Sequence, residues 1–315
     1  MTILTDPGYR VKAEQKGEHL YENEMLTACS EDYYRVILNS EELLELQKVR
    51  GEMMKFVRIK SNLSDQSIQD RLQYNPEIIE LYLDEYDLLD TSRLVEKIRF
   101  LQNLNIRVYL HQPSTHNGVY LDILSEDEDM RNYYYETSKI LSTICHNENI
   151  HSVIHAHYVN TISSNSDKQS TIKMRRRIQD ILDFASDRFV WEDTIQGIFS
   201  FDNPYLLDEL IRPLDLPLNI DVSHSFIACR GDNGKLQQIL ESTQKHAKYF
   251  HLVDSMGEKH DSLPLGEGKI DWKMVKPYVM DKDFIFEINL KGDHNDCTPM
   301  IDSVKYFNEL ELSCT

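Results

Sequence analysis

A chain of 315 residues, 41% of them apolar, has material for one large domain or two ordinary ones. Its 53 acidic against 34 basic residues leave a net charge of −19, which repels polyphosphate at long range and disfavours nucleic acid as a partner unless a local basic patch or bound cations reverse the field. Five cysteines (Cys29, Cys145, Cys229, Cys297 and Cys314) without a Cys-x-x-Cys pair argue against a disulfide framework or a zinc finger, and no apolar run resembles a signal peptide or reaches the ~20 residues of a membrane span, so a cytoplasmic setting is expected.

Residues 1–52 are polar and mixed in charge, and we read them as an N-terminal extension packed on the rest of the chain, with a helix from Ser40 to Met54. From residue 53 onward short apolar runs alternate with helical patterns. Strands are predicted at 55–60, 77–83, 106–111, 151–158, 188–194, 217–224, 249–255 and 284–290. Most are continuously apolar and rich in Val, Ile, Phe and Tyr, which suits strands buried on both faces of a parallel sheet. Between them Leu94, Ile98 and Leu101 mark one helix. Ser125 with Glu128 suggests a capping box for a second, ending near His146. Met174, Ile178, Ile181, Leu182 and Ala185 line a third, whose basic cluster of Lys173 and Arg175–Arg177 reads as a solvated face. Residues 159–169 read as a polar loop. Asn203-Pro204 and Thr298-Pro299 look like helix starts, Leu236, Ile239 and Leu240 line a further helix, and Asp271 caps another that turns Met274 and Val275 inward. Eight strands with intervening helices predict an α/β fold, a (β/α)8 TIM barrel over 53–315 with the N-terminal extension outside it. A doubly wound open sheet is the alternative, but no glycine-rich nucleotide turn follows the first strand.

In a parallel barrel all strands finish on one face, where the chemistry gathers. The third strand ends at His111, the fourth at His155 and His157, the fifth at Glu192 and Asp193. The sixth ends at Asp221 and His224, the seventh at His251 and Asp254, and the eighth carries Glu287. A lone strand-end histidine is usually a hydrogen-bonded structural residue; six successive strands delivering imidazole or carboxylate form a donor set for a divalent metal. Buried carboxylates without a cation would also repel one another. We therefore expect a divalent ion (Mn, Zn, Mg, Co or Fe) at Glu192, Asp221, His251 and Glu287, and a second near His111 and His155. Such a rim suits two chemistries. In one, a metal acidifies a C–H beside a carbonyl while Glu192 and Glu287, taken to stand four places apart in the ring, trade the proton. In the other, clustered metals hydrolyse a phosphoester.

The stretches "FVWEDT", "LNIDVSHSFIACRGD", "YFHLVDS…LPLGEGKIDW" and "FIFEI" resemble the xylose isomerase-like TIM-barrel superfamily, over roughly residues 55–310. That superfamily includes sugar phosphate isomerases and epimerases and the endonuclease IV type of abasic-site nuclease (AP endonuclease family 2). The resemblance implies Glu192, Asp221, His251 and Glu287 as metal ligands, the two glutamates as the acid/base pair, and His224 as a substrate contact. In nuclease-like members His111 and His155, or His157 as a substitute, would join a metal cluster, and "WEDTIQG" is similar to their fifth-strand motif. The nuclease type also places Asp-x-His before the Gly-Glu-Gly turn; here His260-Asp261-Ser262 breaks that pattern, with His260 as a stand-in. Gly266-Glu267-Gly268 reads as a turn feeding the next helix. Asp254 is read as orienting neighbours or meeting substrate, His260 and Asp261 as part of a covering loop, and Arg230 as a phosphate contact or a surface ion pair. The function implied is a metal-dependent sugar or sugar-phosphate isomerase or epimerase with a small carbohydrate as substrate. The alternative is a metallohydrolase of the abasic-site nuclease type. Assembly into a homo-oligomer is compatible with either.

Overall fold

A computed structural model describes residues 54–311 apart from 160, 162, 164 and 293. The extension read over 1–52, its helix, Cys29 and Cys314 lie outside the described residues. All eight predicted strands form: β1 (Arg58–Ser61), β2 (Ile78–Tyr82), β3 (Arg107–His111), β4 (His151–His155), β5 (Phe189–Glu192), β6 (Leu218–Asp221), β7 (Ala247–Leu252) and β8 (Asp283–Phe286). They pair in parallel and close in the order β1-β8-β7-β6-β5-β4-β3-β2, so the chain folds as a (β/α)8 barrel. β5 and β8 are three places apart around this ring, which corrects the expected four.

The helices are α1 (Asp65–Leu72), α2 (Thr91–Asn103), α3 (Glu128–Glu148) and α4 (Lys168–Ala185), then α5 (Val222–Ala228), α6 (Asn233–Thr243), α7 (Trp272–Val279) and α8 (Thr298–Glu309). A π-type turn over Leu207–Ile211 runs on into Arg212–Leu214. Two caps differ from expectation. Asp127, not Ser125, accepts from the Asp129 amide at the start of α3, because a carboxylate one residue before the helix reaches the free N–H groups directly. Asp296 does the same for Thr298 at α8. Asp271 caps α7 as predicted. Among the described residues Cys145, Cys229 and Cys297 are free and buried, and no helix is long and apolar enough to cross a membrane.

Successive strand residues point to opposite faces, and this alternation builds two layers from each apolar run. Ile79, Leu81, Phe250 and Leu252 turn outward and pack in the main core. Ile78, Val153, Val190, Tyr249 and Ile285, with Tyr109 against them, turn inward and form an apolar barrel floor. Two residues further along each of those strands comes the next inward side chain: Glu80, His155, Glu192, His251, Glu287 and His111. The strands thus change from apolar to ionisable in one step of the pleat, just above the floor.

Candidate metal centre

Glu192, the last residue of β5, is 2% exposed and stands at the middle of the mouth. Its Oε2 lies 3.2 Å from His155 Nε2, 3.3 Å from His251 Nδ1 and 3.7 Å from His111 Nε2, and accepts from Asn219 Nδ2 at 3.0 Å. Its Oε1 is 3.5 Å from His224 Nδ1. Glu287 Oε2 approaches His251 Nδ1 to 2.6 Å, while Glu287 Oε1 accepts from Lys60 Nζ on β1. Asp221 ends β6, where its Oδ1 accepts from the His224 amide and caps α5; its Oδ2 is buried without a hydrogen-bond partner. Three donor sets result, each within 4.8 Å: His111, His155 and Glu192; Glu192, Asp221, His251 and Glu287; Asp221, His224 and His260. Glu192 and Asp221 are each shared by two sets.

The outer hydrogen bonds decide which ring nitrogens face inward. His251 Nε2 donates to Glu80 Oε2 at 2.9 Å, since an ionised carboxylate only accepts. His111 Nδ1 donates to the Gln112 carbonyl and His224 Nδ1 to the Asp193 carbonyl, both at 2.8 Å. With those N–H groups engaged, the other nitrogen of each ring faces the mouth: His251 Nδ1 at Glu192 and Glu287, His111 Nε2 at Glu192, His224 Nε2 at His260. The contacts of 2.6–3.7 Å between these nitrogens and the carboxylates call for a proton or a cation between them. Together with the unpartnered Asp221 Oδ2, this pattern fits a divalent metal bound by imidazole and carboxylate, with outer acceptors orienting the rings.

Charge balance points the same way. Burial pushes the Glu192 carboxyl up, but the His155 and His251 imidazoles outweigh it and hold it well below the carboxylate range. Burial likewise works against Glu287, and His251 and Lys60 reverse it. At Asp221 burial and the neighbouring Glu192 and Glu287 charges outweigh the opposing pull of His251 and His260 and push it up to about 7. His251 is raised despite its burial by Glu287, Glu80 and Glu192. The buried carboxylate Asp221 is driven toward its acid by burial and by its like-charged neighbours, a cost that a bound cation removes.

The other predicted residues divide between the mouth and the scaffold around it. His224 is not on the sixth strand, because the chain turns into α5 directly after Asp221; it still reaches the mouth, with Nε2 3.2 Å from His260 Nε2. His260 lies on the loop after β7 and lines the same cavity. His157 is a correction: it is fully buried, donates from Nδ1 to the Tyr158 carbonyl and accepts at Nε2 from the Phe199 amide, so both ring nitrogens hold backbone. Of the two readings of Arg230, the surface one agrees with its position: it is exposed and borders a different surface hollow, with Cys229 and Lys235. Asp254 is fully buried. Its oxygens accept from the Ser255, Gly266 and Ile270 amides and from Trp272 Nε1, tying the ends of the β7–α7 loop together. Gly268 serves that knot, since a Cβ there would sit 2.1 Å from Asp254 Oδ1. Asp193 points away from the cage and accepts from the Asp221 amide and Ser225 Oγ.

Sequence reasoning missed Glu80, Lys60, Asn219, Tyr82, Tyr120 and Tyr158. Glu80 carries a signal, since it is a charge inside an otherwise apolar strand, which only a buried partner makes tolerable, whereas Lys60 shares its strand with Arg58 and stands out less. The tyrosines carry none; Tyr120 and Tyr158 stack at 5.3 Å on one wall of the cavity.

The fold and site together define the class: a (β/α)8 barrel whose strand ends form a candidate metal cage. The model of the xylose isomerase-like TIM barrel family matches residues 75–309, and the chain belongs to that family. Among solved structures it is similar to a D-tagatose 3-epimerase-like protein (TM-score 0.63, 16% identity, covering 80% of this chain and 98% of that one). It is also similar to D-psicose 3-epimerase with D-tagatose from Clostridium cellulolyticum (TM-score 0.61, 11% identity, 82% and 100%). A third is a Thermus thermophilus protein soaked with ZnCl2 (TM-score 0.60, 16% identity, 80% and 97%). At these identities the likeness is one of fold. No curated protein sequence matches the chain.

Proposed function

We propose that the protein is a metal-dependent isomerase or epimerase of a small sugar or sugar phosphate. The observation that carries this is one cavity of about 310 Å³ whose wall holds both Glu192 and Glu287, together with Lys60, His224 and His260. Its size suits a single small ligand, and the fold neighbours described as D-tagatose and D-psicose epimerases support the reading. A divalent cation held by Glu192, Asp221, His251 and Glu287 would polarise an adjacent hydroxyl and carbonyl, and cations in the flanking sets would neutralise a phosphoester. The protein's own part is proton transfer and placement. Glu192 and Glu287 approach from strands three places apart, so one carboxylate removes the proton from carbon and the other returns it from a second direction. Lys60 Nζ, bonded to Glu287 Oε1, keeps that carboxylate ionised and able to accept. Tyr120 and Tyr158 offer an apolar wall to the C–H face of a sugar and exclude water.

The test is solvent exchange. Metal-loaded protein is incubated with a panel of ketoses and aldoses in heavy water, and deuterium at the α-carbon is read by NMR. Incorporation that is lost in both Glu192→Gln and Glu287→Gln supports the proposal; no incorporation from any sugar sinks it.

A second reading, hydrolysis of a phosphoester, is favoured by the overlap of the three donor sets through Glu192 and Asp221. Metal counting on protein purified without chelator separates the two. Two or three tightly held ions favour hydrolysis, and one favours isomerisation. Abasic-site DNA is credited as substrate only if nicking disappears in Glu192→Gln.

A further inference from the structure

Beside the catalytic cavity lies a second, larger cleft of about 550 Å³, bordered by the segments that follow β1, β2 and β8. The two hollows share Lys60, Tyr82, His260 and Glu287 as walls, so they adjoin at the Lys60–Glu287 pair. We infer that this cleft is a second subsite for an uncharged, hydroxyl-rich group, so that the substrate is a two-unit saccharide or glycoside whose reacting sugar sits over the metal cage. The inference rests on the isomerase or epimerase reading and narrows its substrate class.

Three features of the cleft choose the ligand. Its floor is apolar, formed by Ile288, Leu290 and Met300, and suits the C–H face of a sugar ring. Its rim carries the exposed amides of Asn62 and Asn289, groups that pair with hydroxyls. Its charges exclude an anion. Asp84 and Asp87 stand on one side. Arg71, which also borders the cleft, is 2% exposed and commits its guanidinium to Asp70 Oδ2 and the Lys60 and His294 carbonyls. Lys60 is already bonded to Glu287. A phosphate here would face two carboxylates with no uncommitted arginine or lysine among the described lining residues, whereas a neutral polyol meets no such repulsion.

The experiment measures binding, without turnover, on manganese-loaded protein by isothermal titration. The probes are glucose, fructose and galactose, their 6-phosphates, and the disaccharides maltose, cellobiose, lactose and sucrose. At least one disaccharide is expected to bind about tenfold tighter than its constituent monosaccharides, with no gain for the 6-phosphates. Asn289→Trp, an exposed position outside the cage, should fill the cleft and erase that gain while monosaccharide affinity stays within about twofold. Disaccharides binding no tighter than monosaccharides, a gain for the 6-phosphates, or a disaccharide gain that survives Asn289→Trp would each overturn the inference while leaving the isomerase reading intact. If no sugar of either length binds, the isomerase reading falls and the inference falls with it.

Discussion

At the ends of β5 to β8 stand Glu192, Asp221, His251 and Glu287, which meet one another around a common centre. At the matching level of β1 and β2 stand Lys60 and Glu80, which meet those same side chains from outside: Lys60 bonds Glu287, and Glu80 bonds the far nitrogen of His251. One half of the ring supplies groups able to hold a cation, and the other fixes the charge and orientation of those groups. The first half is written in short motifs that survive as local sequence. The second is a pair of strand charges, Lys60 and Glu80, meaningful only once the barrel closes and brings residue 80 beside residue 251.

That contrast is breakable by mutation. The largest effect is expected at the centre of the ligand half. Glu192→Gln should lower solvent exchange or turnover by about 10³-fold, since under the proposed function it removes both a shared ligand and a proton-transfer group. Unchanged activity there would mean the cage is not the catalytic centre. Next comes Lys60→Met, expected to cost about 10²-fold in kcat, because Glu287 loses the cation that keeps it a base. If instead only KM changes, Lys60 serves binding and the division between halves weakens. Glu80→Ala should lower metal affinity by about 10–100-fold in a chelator competition, by freeing the His251 ring to turn.

A pH series sharpens the same comparison. Asp221, pushed up to about 7, must lose its proton to act as a ligand, and His251, raised well above its usual range, must do the same. Apparent metal affinity should therefore fall as pH is lowered below 7, by about tenfold per unit or more, and level off at higher pH. A flat profile between pH 5 and 7 would exclude Asp221 from the ligand set. The smallest effect is expected at Arg230→Ala. That side chain is exposed and away from the cavity, so kcat/KM should stay within about twofold.

The barrel was legible because its strands are continuous apolar runs, and the residues gathered at the mouth were legible because a pleat of period two makes the strand-end residue predictable. What the sequence hid were consequences of distance. His157 looks like His155 in "HAHY", yet it lies beyond the end of β4 and is met by the Phe199 amide, a partner that no local pattern announces. Arg230 follows the sixth-strand motif closely, but a complete helix intervenes and carries it off the mouth. The spacing of Glu192 and Glu287 around the ring, expected at four places, is set at three by closure. Asp127 supplanted Ser125 as a cap because both can accept a hydrogen bond and only the folded turn selects between them.

Asp221 uses one oxygen to start α5 and turns the other toward the cage. A cation pulling on the second oxygen therefore tugs on the first turn of the helix that carries His224. Backbone amides at Ser223–Ser225 should exchange with solvent more slowly when the ion is present, turning seven residues of helix into a built-in gauge of occupancy.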